Sequence, residues 1–266
     1  MVNNVKKQST LCERYKPNTL DEYHNQTVIN EIQNWIFDFE KRLVTKKALI
    51  IYGNSGVGKT LIMSLFAMKY KYFLYNYDSS ICRNKKWVQD SLCEVYESMG
   101  FFGMKRFIVV DDMDALTNTN DYGGLAEMVK MINPLKGRMC ISKRDKESRD
   151  SKWKIPLIFI CNNVKSNKFT DLLKECNVIH VPGATQLEMY NIAKKCKLLK
   201  KNIWSFIPQC KGDVRFFLNN VQFHGKDIQE EKQVIQTFLY ERLLIMFNEP
   251  YNTHDLIQNF YHDSSM

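Results

Sequence analysis

The chain has 266 residues, of which 44% are hydrophobic and 25% charged, a balance typical of a globular protein with one large or two modest domains. Its net charge of +9 favours a polyanionic partner such as nucleic acid, with a generally basic surface as the alternative. The eight cysteines form no C-x-x-C pair, which disfavours a zinc site and favours a reducing, intracellular compartment. Since no apolar run approaches 18 residues, we expect neither secretion nor membrane spanning.

The first 182 residues alternate between predicted helices and predicted strands. Apolar residues recur at helical spacing over 27–43, and an unbroken apolar run at 48–53 is typical of a buried strand, with a helix after it. Continued alternation predicts an α/β fold, in which helices sandwich a parallel sheet. The further predicted strands cover 71–78, 106–112, 154–163 and 176–182, and the further predicted helices cover a polar stretch that ends at 97 and the segment 124–132.

Strand patterns stop after Pro182, and the rest of the chain is predicted to be helical. Three consecutive helices are expected within 185–223 and a fourth at 230–247. We therefore predict an α/β domain at 1–182, a small all-helical lid at 183–225 and a C-terminal helical extension at 226–266. The segment 136–154 carries eight basic and three acidic residues with little periodicity, and it is predicted to be an exposed insertion.

The segment "GNSGVGKT" follows a predicted strand and opens a predicted helix, which is the context of a P-loop. Backbone N–H groups of such a loop and the N-terminus of the helix attract phosphate. Lys59 is expected to reach the β- and γ-phosphates of ATP, and the Thr60 hydroxyl to ligate Mg²⁺. The predicted nucleotide-binding residues are Gly53, Asn54, Ser55, Gly56, Val57, Gly58, Lys59 and Thr60.

Two adjacent aspartates end the third predicted strand. Asp111 is expected to complete the Mg²⁺ site, and Asp112 stands where a general base for water would stand. Aspartate is shorter than glutamate by ~1.5 Å, and misplacement of that order costs on the order of a hundredfold in rate. A chain that binds nucleotide without hydrolysing it is therefore the alternative. Asn162, at the end of the fourth strand, is the candidate for orienting water, and Arg215, in the third helix of the lid, for sensing the γ-phosphate.

Together these motifs resemble those of AAA+ ATPases, and more narrowly those of clamp-loader subunits. "ERYKPNTLDEYHNQ" is similar to the N-terminal segment that surrounds adenine in that family, although Asn25 replaces the usual glycine. This resemblance implies that Tyr15, Pro17 and Val28 contact adenine. "DDMDAL", "ICNN" and "GDVRFFLNNVQF" resemble the family's acidic box, its sensor 1 strand and its sensor 2 helix. The likeness covers nearly the whole chain.

Within the family the chain most resembles the large subunit of replication factor C, without its BRCT and collar domains. "DYGGLAEMVKMI" is similar to the D-R-G-G helix of that subunit, with Tyr122 in place of the arginine. "LLKECNVIHVPG" stands where small subunits carry an S-R-C arginine finger, which large subunits also lack. "NFYHDSS" resembles the segment before the collar. We therefore expect that a ring holds this chain without a collar, that a separate chain holds it, or that no ring holds it. A neighbouring subunit would then supply the arginine, and hydrolysis by the isolated chain would be slow.

The resemblance implies an ATP-dependent clamp-loader subunit in a hetero-oligomeric ring with other clamp-loader subunits. Such a ring opens a PCNA-like sliding clamp and places it on primer–template DNA, in the nucleus or, for a viral protein, at the site of viral DNA replication. The paired Phe101 and Phe102, with Met99 as a third anchor, resemble a clamp-binding plug. Core residues that lead into a strand are the alternative interpretation.

DNA contacts are expected from basic residues on the helices that line the ring. The candidates are Arg83, Lys85 and Lys86 after the second strand, and Lys130 on the helix after the acidic box. The basic insertion, which contains Trp153, is either a further DNA contact or a solvated loop. Two other functions remain open: a hydrolysis-deficient structural subunit of an AAA+ ring, and an initiator or helicase loader of the AAA+ type. The second would need a winged-helix domain, for which the roughly 40 residues after Phe223 are too few.

Overall fold

The computed structural model describes residues 10–97, 104–116, 121, 123–133, 155–165, 169–196 and 203–223. Its contacts divide the chain into two units, Met1–Asn219 and Asn220–Met266. Of the second unit the structure describes only residues 220–223, the end of one helix. No helix within these described ranges is long and apolar enough to cross a membrane.

The described elements follow the predicted alternation of helices and strands. Short 3-10 helices at Leu20–Glu22, Met113–Ala115 and Ile207–Cys210 separate some of them, and a π-helix at Val88–Leu92 joins the helices Lys85–Trp87 and Cys93–Glu97. The α-helices and strands are α1 Leu11–Arg14, α2 Gln26–Glu40, β1 Ala48–Tyr52, α3 Lys59–Tyr70, β2 Phe73–Tyr77, α4 Lys85–Trp87, α5 Cys93–Glu97, β3 Arg106–Val110, α6 Gly124–Ile132, β4 Leu157–Cys161, α7 Thr170–Glu175, β5 Cys176–His180, α8 Gln186–Lys195, α9 Ile203–Phe206 and α10 Val214–Phe223.

The five strands form one parallel sheet with the order β2-β3-β4-β1-β5. This confirms the predicted α/β fold and places the P-loop strand β1 between β4 and β5. Each strand has five residues, shorter than its predicted apolar run. The third strand ends at Val110, because Asp112 adopts a left-handed backbone conformation that no strand continues.

Both faces of the sheet are buried, which explains why β1 is apolar without alternation. Leu49 and Ile51 lie in one core cluster with residues of α2 and α3, whereas Ala48 and Ile50 lie in a second cluster with residues of α6 and α7. Successive side chains of a strand point to opposite faces, so a sheet covered on both sides needs apolar residues at every position. The helices therefore cover both faces and leave the ends of the strands free.

After β5 the chain continues as helices, as predicted. α8 begins with a capping box in which Thr185 accepts a hydrogen bond from the Glu188 N–H and the Glu188 carboxylate accepts one from the Thr185 N–H. α9, a 3-10 helix and α10 follow. The part of this helical region up to Asn219 belongs to the same contact unit as the sheet. The proposed boundary at Pro182–Gly183 stays a prediction, and the predicted helix at 230–247 lies outside the described residues.

Candidate nucleotide-binding site

The register of the sheet brings the ends of three strands to one edge. Tyr52 of β1 is paired with Cys161 of β4, and Val110 of β3 is paired with Phe159 of β4. The residues that follow these strands therefore lie side by side at the carboxyl edge of the sheet, where ligands bind in open α/β folds. The P-loop, Asp111 and Asn162 all occupy this edge.

Lys59 lies inside the P-loop and is only 8% exposed. Its Nζ donates hydrogen bonds to the carbonyl oxygens of Gly53 and Asn54 and to Oδ1 of Asn162, each over 2.8 Å. Burial lowers the pKa of Lys59, and the nearby Asp111 carboxylate opposes that effect. The ammonium group is thus fixed at the position where a P-loop lysine meets phosphate.

Thr60 and Asp111, the predicted metal ligands, are in direct contact. The Thr60 hydroxyl donates a hydrogen bond to Oδ2 of Asp111, whose side chain is 8% exposed. No cluster of three metal-ligating side chains occurs among the described residues. Mg²⁺ in nucleotide sites needs only one or two oxygen ligands from the protein, because phosphates and water supply the others. A hydroxyl and a carboxylate in contact beside Lys59 fit that requirement.

Asp112 begins a tight turn and is held there by its neighbours. Its backbone has φ 51° and ψ 47°, a left-handed conformation that aspartate tolerates better than most residues. Its N–H donates to Oδ1 of Asp111 over 2.8 Å. The side chain is exposed, and its Oδ2 accepts a hydrogen bond of 3.3 Å from Ser79. The carboxylate therefore faces solvent at the mouth of the site rather than the core.

Arg83 corrects one of the predicted DNA contacts. Its side chain is only 1% exposed, and its guanidinium donates to the carbonyl oxygens of Asp111 and, over 3.0 Å, Asp112. These hydrogen bonds hold the turn at Asp111 and Asp112 in place. They leave Arg83 with no exposed surface that a DNA phosphate could contact. Gly124 allows the close packing, because a Cβ atom there would lie 1.8 Å from the Arg83 carbonyl oxygen. Arg83 is a structural residue of the acidic turn.

The other described DNA candidates are exposed, and their role stays a prediction. Lys85 and Lys86 begin α4, which contacts α6, the helix that carries Lys130. Gln89, in the π-helix that follows α4, forms a 2.8 Å hydrogen bond with Glu127 of α6. Glu127 also pairs with Lys130 over 3.3 Å. The clamp-binding candidates Met99, Phe101 and Phe102, and the basic insertion at 136–154, lie outside the described residues.

Asp114 is a site residue that the sequence prediction missed. Its carboxylate accepts hydrogen bonds from the backbone N–H groups of Asn162 and, over 3.2 Å, Asn163. This connection fixes the end of β4 against the acidic turn and thereby places the Asn162 side chain against Lys59. The signal was present in the spacing of "DDMD", where a third acid follows Asp111 by three positions.

A cavity of about 800 Å³ opens above these residues, within the range typical of ligand pockets. Its lining includes most of the predicted contacts: Tyr15, Pro17, Ser55, Gly56, Val57, Gly58, Lys59, Thr60, Asp111, Asp112, Asn162 and Arg215. Gly53 and Asn54 contribute carbonyl oxygens to Lys59 and are not among the lining residues. Val28 corrects a prediction, because it is buried in the core on the apolar side of α2 and does not line the cavity.

The N-terminal segment and α10 close two sides of the cavity. Sγ of Cys12, which follows the start of α1, donates to Oδ1 of Asn219 on α10 over 3.1 Å. Asp213 caps α10 by accepting from the Phe216 N–H over 2.7 Å. Its carboxylate lies against the P-loop at Gly56, where φ is 68° and a Cβ atom would lie 1.8 Å from Asp213 Oδ1. Arg215 is thereby placed at the edge of the cavity.

Tyr23 ties the N-terminal segment to the P-loop and was also missed. Its hydroxyl donates to the Val57 carbonyl oxygen over 2.7 Å, and burial raises the pKa of this phenol. Nothing in the local sequence distinguishes Tyr23 from an ordinary core aromatic residue. Its role depends on a contact 34 positions along the chain.

Comparison with known proteins agrees with this geometry. Residues 49–178 match the AAA family, described as the ATPase family associated with various cellular activities. The chain is 25% identical over 225 residues to a replication factor C large subunit of Nanoarchaeum equitans, covering 82% of this chain and 48% of that protein. It is 26% identical over 211 residues to a replication factor C large subunit of Sulfolobus acidocaldarius, covering 79% and 46%. The chain spans about half the length of these relatives.

A likeness to a solved structure supports the fold alone. The Aeropyrum pernix ORC1 protein in complex with DNA aligns with a TM-score of 0.53 and 15% sequence identity, over 81% of this chain and 62% of that chain. It therefore supports the α/β fold without distinguishing between the functions that share it.

Proposed function

We propose that this chain, an AAA+ protein that resembles replication factor C large subunits, is an ATP-dependent subunit of a clamp loader. In this role it helps to open a PCNA-like sliding clamp and to place it on primer–template DNA, within a hetero-oligomeric ring. One observation carries the proposal: Lys59, the Thr60–Asp111 pair and Arg215 line a single nucleotide-sized cavity. Sequence similarity to clamp-loader large subunits over about four fifths of the chain supports the more specific function.

Each charged group at the cavity has a defined task in binding ATP. Lys59 neutralises the oxygens of the β- and γ-phosphates, while backbone N–H groups of the P-loop surround the phosphate chain. Thr60 and Asp111 would hold Mg²⁺, which would supply positive charge to offset that of the phosphates. Arg215, on the edge formed by α10, reaches the γ-phosphate and makes the position of that helix depend on its presence.

Water activation falls to Asp112 and Asn162. Asp112 is exposed at the mouth of the site and accepts the proton of the attacking water, as a general base must. Asn162 accepts a hydrogen bond from Lys59 through Oδ1, and its backbone N–H donates to the Asp114 carboxylate. Its amide is thereby positioned to orient a water near the γ-phosphate. An arginine from a neighbouring subunit completes the site, and an arginine finger raises kcat by about 10³–10⁵. Turnover by the isolated chain is therefore slow.

Replacing Asp112 with asparagine tests this function against that of a hydrolysis-deficient ring subunit. The variant should bind Mg·ATP normally, because Lys59, Thr60 and Asp111 are unchanged. Removal of a general base lowers turnover by about 10²–10⁴. The measurements are ATP turnover by a reconstituted ring in which the P-loop lysines of all other subunits are replaced by alanine, and clamp loading by a ring in which those lysines are retained.

Asp90→Asn is the matched control, since Asp90 is an exposed acid that does not line the cavity. It should leave turnover and clamp loading unchanged. Turnover that is equal in wild type and in Asp112→Asn would assign the chain a structural role without hydrolysis. Absence of clamp loading by the wild-type ring would reject the clamp-loader function itself.

A further inference from the structure

We propose that His24 selects the base of the bound nucleotide, with Nε2 accepting a hydrogen bond from the exocyclic amino group of adenine. The inference rests on the proposed binding of ATP and names the residue that distinguishes ATP from other purine triphosphates. His24 lines the cavity and was not among the residues predicted to contact nucleotide.

The first observation is an unpaired polar atom. Nε2 of His24 is buried and has no hydrogen-bond partner within the part of the chain that the structure describes. Buried polar atoms in folded proteins are almost always paired, so an exception that borders a cavity calls for a partner from outside the protein. A nucleotide in the cavity is the available partner.

The second observation is that the imidazole is held in place. Its ring lies 4.3 Å from the ring of Tyr23, whose hydroxyl is bonded to the Val57 carbonyl of the P-loop. Gln26 fixes the backbone of the same segment by donating to the carbonyl oxygens of Leu20 and Tyr23, over 3.0 and 2.8 Å. A side chain that is already positioned before the ligand binds loses little conformational entropy on binding. This favours discrimination between nucleotide bases.

The third observation is that the cavity lining contains apolar as well as charged side chains. The P-loop, Asp111 and Asp112 supply the polar groups that phosphates and Mg²⁺ require. The remaining lining includes aromatic and aliphatic side chains, which provide flat apolar contacts for a purine ring: Tyr15, Pro17, Tyr23, Ile192, Val214 and Leu218. Within that group of residues, His24 supplies a nitrogen that can make a directional contact with the base.

The protonation state of His24 suits an acceptor. Burial lowers the pKa of the imidazole, and the Glu188 carboxylate opposes this more weakly, so the neutral form is favoured. Neutral imidazole has one nitrogen with a free lone pair, and adenine presents an amino donor where hypoxanthine and guanine present a carbonyl oxygen. A lone pair aimed at that position accepts from adenine and repels the other two bases.

The test measures the affinity of the full chain for three triphosphates in Mg²⁺: ATP, inosine triphosphate and purine riboside triphosphate, which lacks the amino group. Wild type should bind ATP on the order of tenfold more tightly than purine riboside triphosphate, the value of one buried hydrogen bond. His24→Phe keeps an aromatic ring without nitrogen and should bring that ratio close to one. His180→Phe, at an exposed histidine outside the cavity, should preserve the wild-type ratio.

His24→Gln guards against a folding defect in the first variant, because its amide oxygen can still accept and should retain part of the preference for ATP. If wild type prefers ATP and His24→Phe prefers it equally, the inference is wrong while the proposed function stands. If inosine triphosphate binds more tightly than ATP, Nε2 is a donor and the inference is again wrong. If wild type binds no triphosphate at all, the proposed function fails first.

Discussion

Replacing Lys59 with alanine is expected to weaken Mg·ATP binding by at least about a hundredfold, since charge-assisted hydrogen bonds contribute about 1.5–3 kcal/mol each and two are lost. Lys59 is buried, and its ammonium group is fixed by three acceptors at the carboxyl edge of the sheet. Lys16 and Lys195 also line the cavity, but neither belongs to the P-loop. The shortened side chain removes the ammonium group of the P-loop from the phosphates.

Thermal or chemical unfolding with and without nucleotide measures this effect. A ligand at 100 times its Kd stabilises the native state by about 2.7 kcal/mol, and that gain should be present in wild type and nearly absent in Lys59→Ala. Lys69→Ala is the matched control: Lys69 lies on the same helix, is paired with Asp21 over 3.1 Å and does not line the cavity. An equal gain in wild type and in Lys59→Ala would show that the P-loop does not hold the triphosphate.

Replacing Arg83 with methionine is expected to lower the free energy of unfolding by about 3 kcal/mol, because one buried and one partly buried carbonyl oxygen lose their donors. Methionine fills part of the volume of the arginine side chain. The measured loss of stability therefore reflects the missing hydrogen bonds more than an empty cavity. Arg83→Lys should also destabilise, since a single ammonium cannot reproduce the two parallel donors of the guanidinium. Urea unfolding monitored by circular dichroism gives the free energy, and turnover should fall with it because the turn at Asp112 loosens.

Lys86→Ala is the control for Arg83, as Lys86 is exposed and belongs to the same predicted basic group. It should leave stability unchanged and lower DNA affinity in a salt-dependent way if that surface contacts phosphates. The opposite pattern, a stable Arg83→Met with reduced affinity for DNA, would return Arg83 to the DNA-binding surface and contradict its structural role.

Much of the fold can be predicted from the sequence, because burial on both faces of a parallel sheet leaves a visible pattern. The central strands β1, β3 and β4 are almost entirely apolar and buried. "ALIIY" lacks any polar interruption, since Leu49 and Ala48 point into different cores. The P-loop is equally readable, because its glycines, lysine and threonine are required by the phosphate contact itself. These signals are local, so no knowledge of distant contacts is needed.

The errors arose where a residue's role depends on a distant contact. Arg83 lies in a polar stretch, which predicts an exposed side chain. It is nevertheless buried, because it contacts the turn at Asp111, 28 positions later in the chain. Its burial also requires Gly124, which comes from a third segment. Such an arrangement leaves no local pattern, since the polar neighbours of Arg83 remain on the surface.

The prediction for Val28 was wrong for a different reason. Val28 starts the apolar spacing that continues at Ile32, and this spacing places it on the buried side of α2. The family resemblance assigned it to adenine, against the periodicity. His24 stands just before Asn25, the cap of α2, and lines the cavity. The period of a helix was therefore the better guide to which residues face the core.

The most direct test of the account is the binding of ATP to the full wild-type chain in Mg²⁺, measured by isothermal titration calorimetry at two temperatures. The account predicts a saturable isotherm with one site per chain and no saturable binding when Lys59 is replaced by alanine. A wild-type chain that shows no saturable heat at either temperature would contradict the assignment of this cavity to a nucleotide.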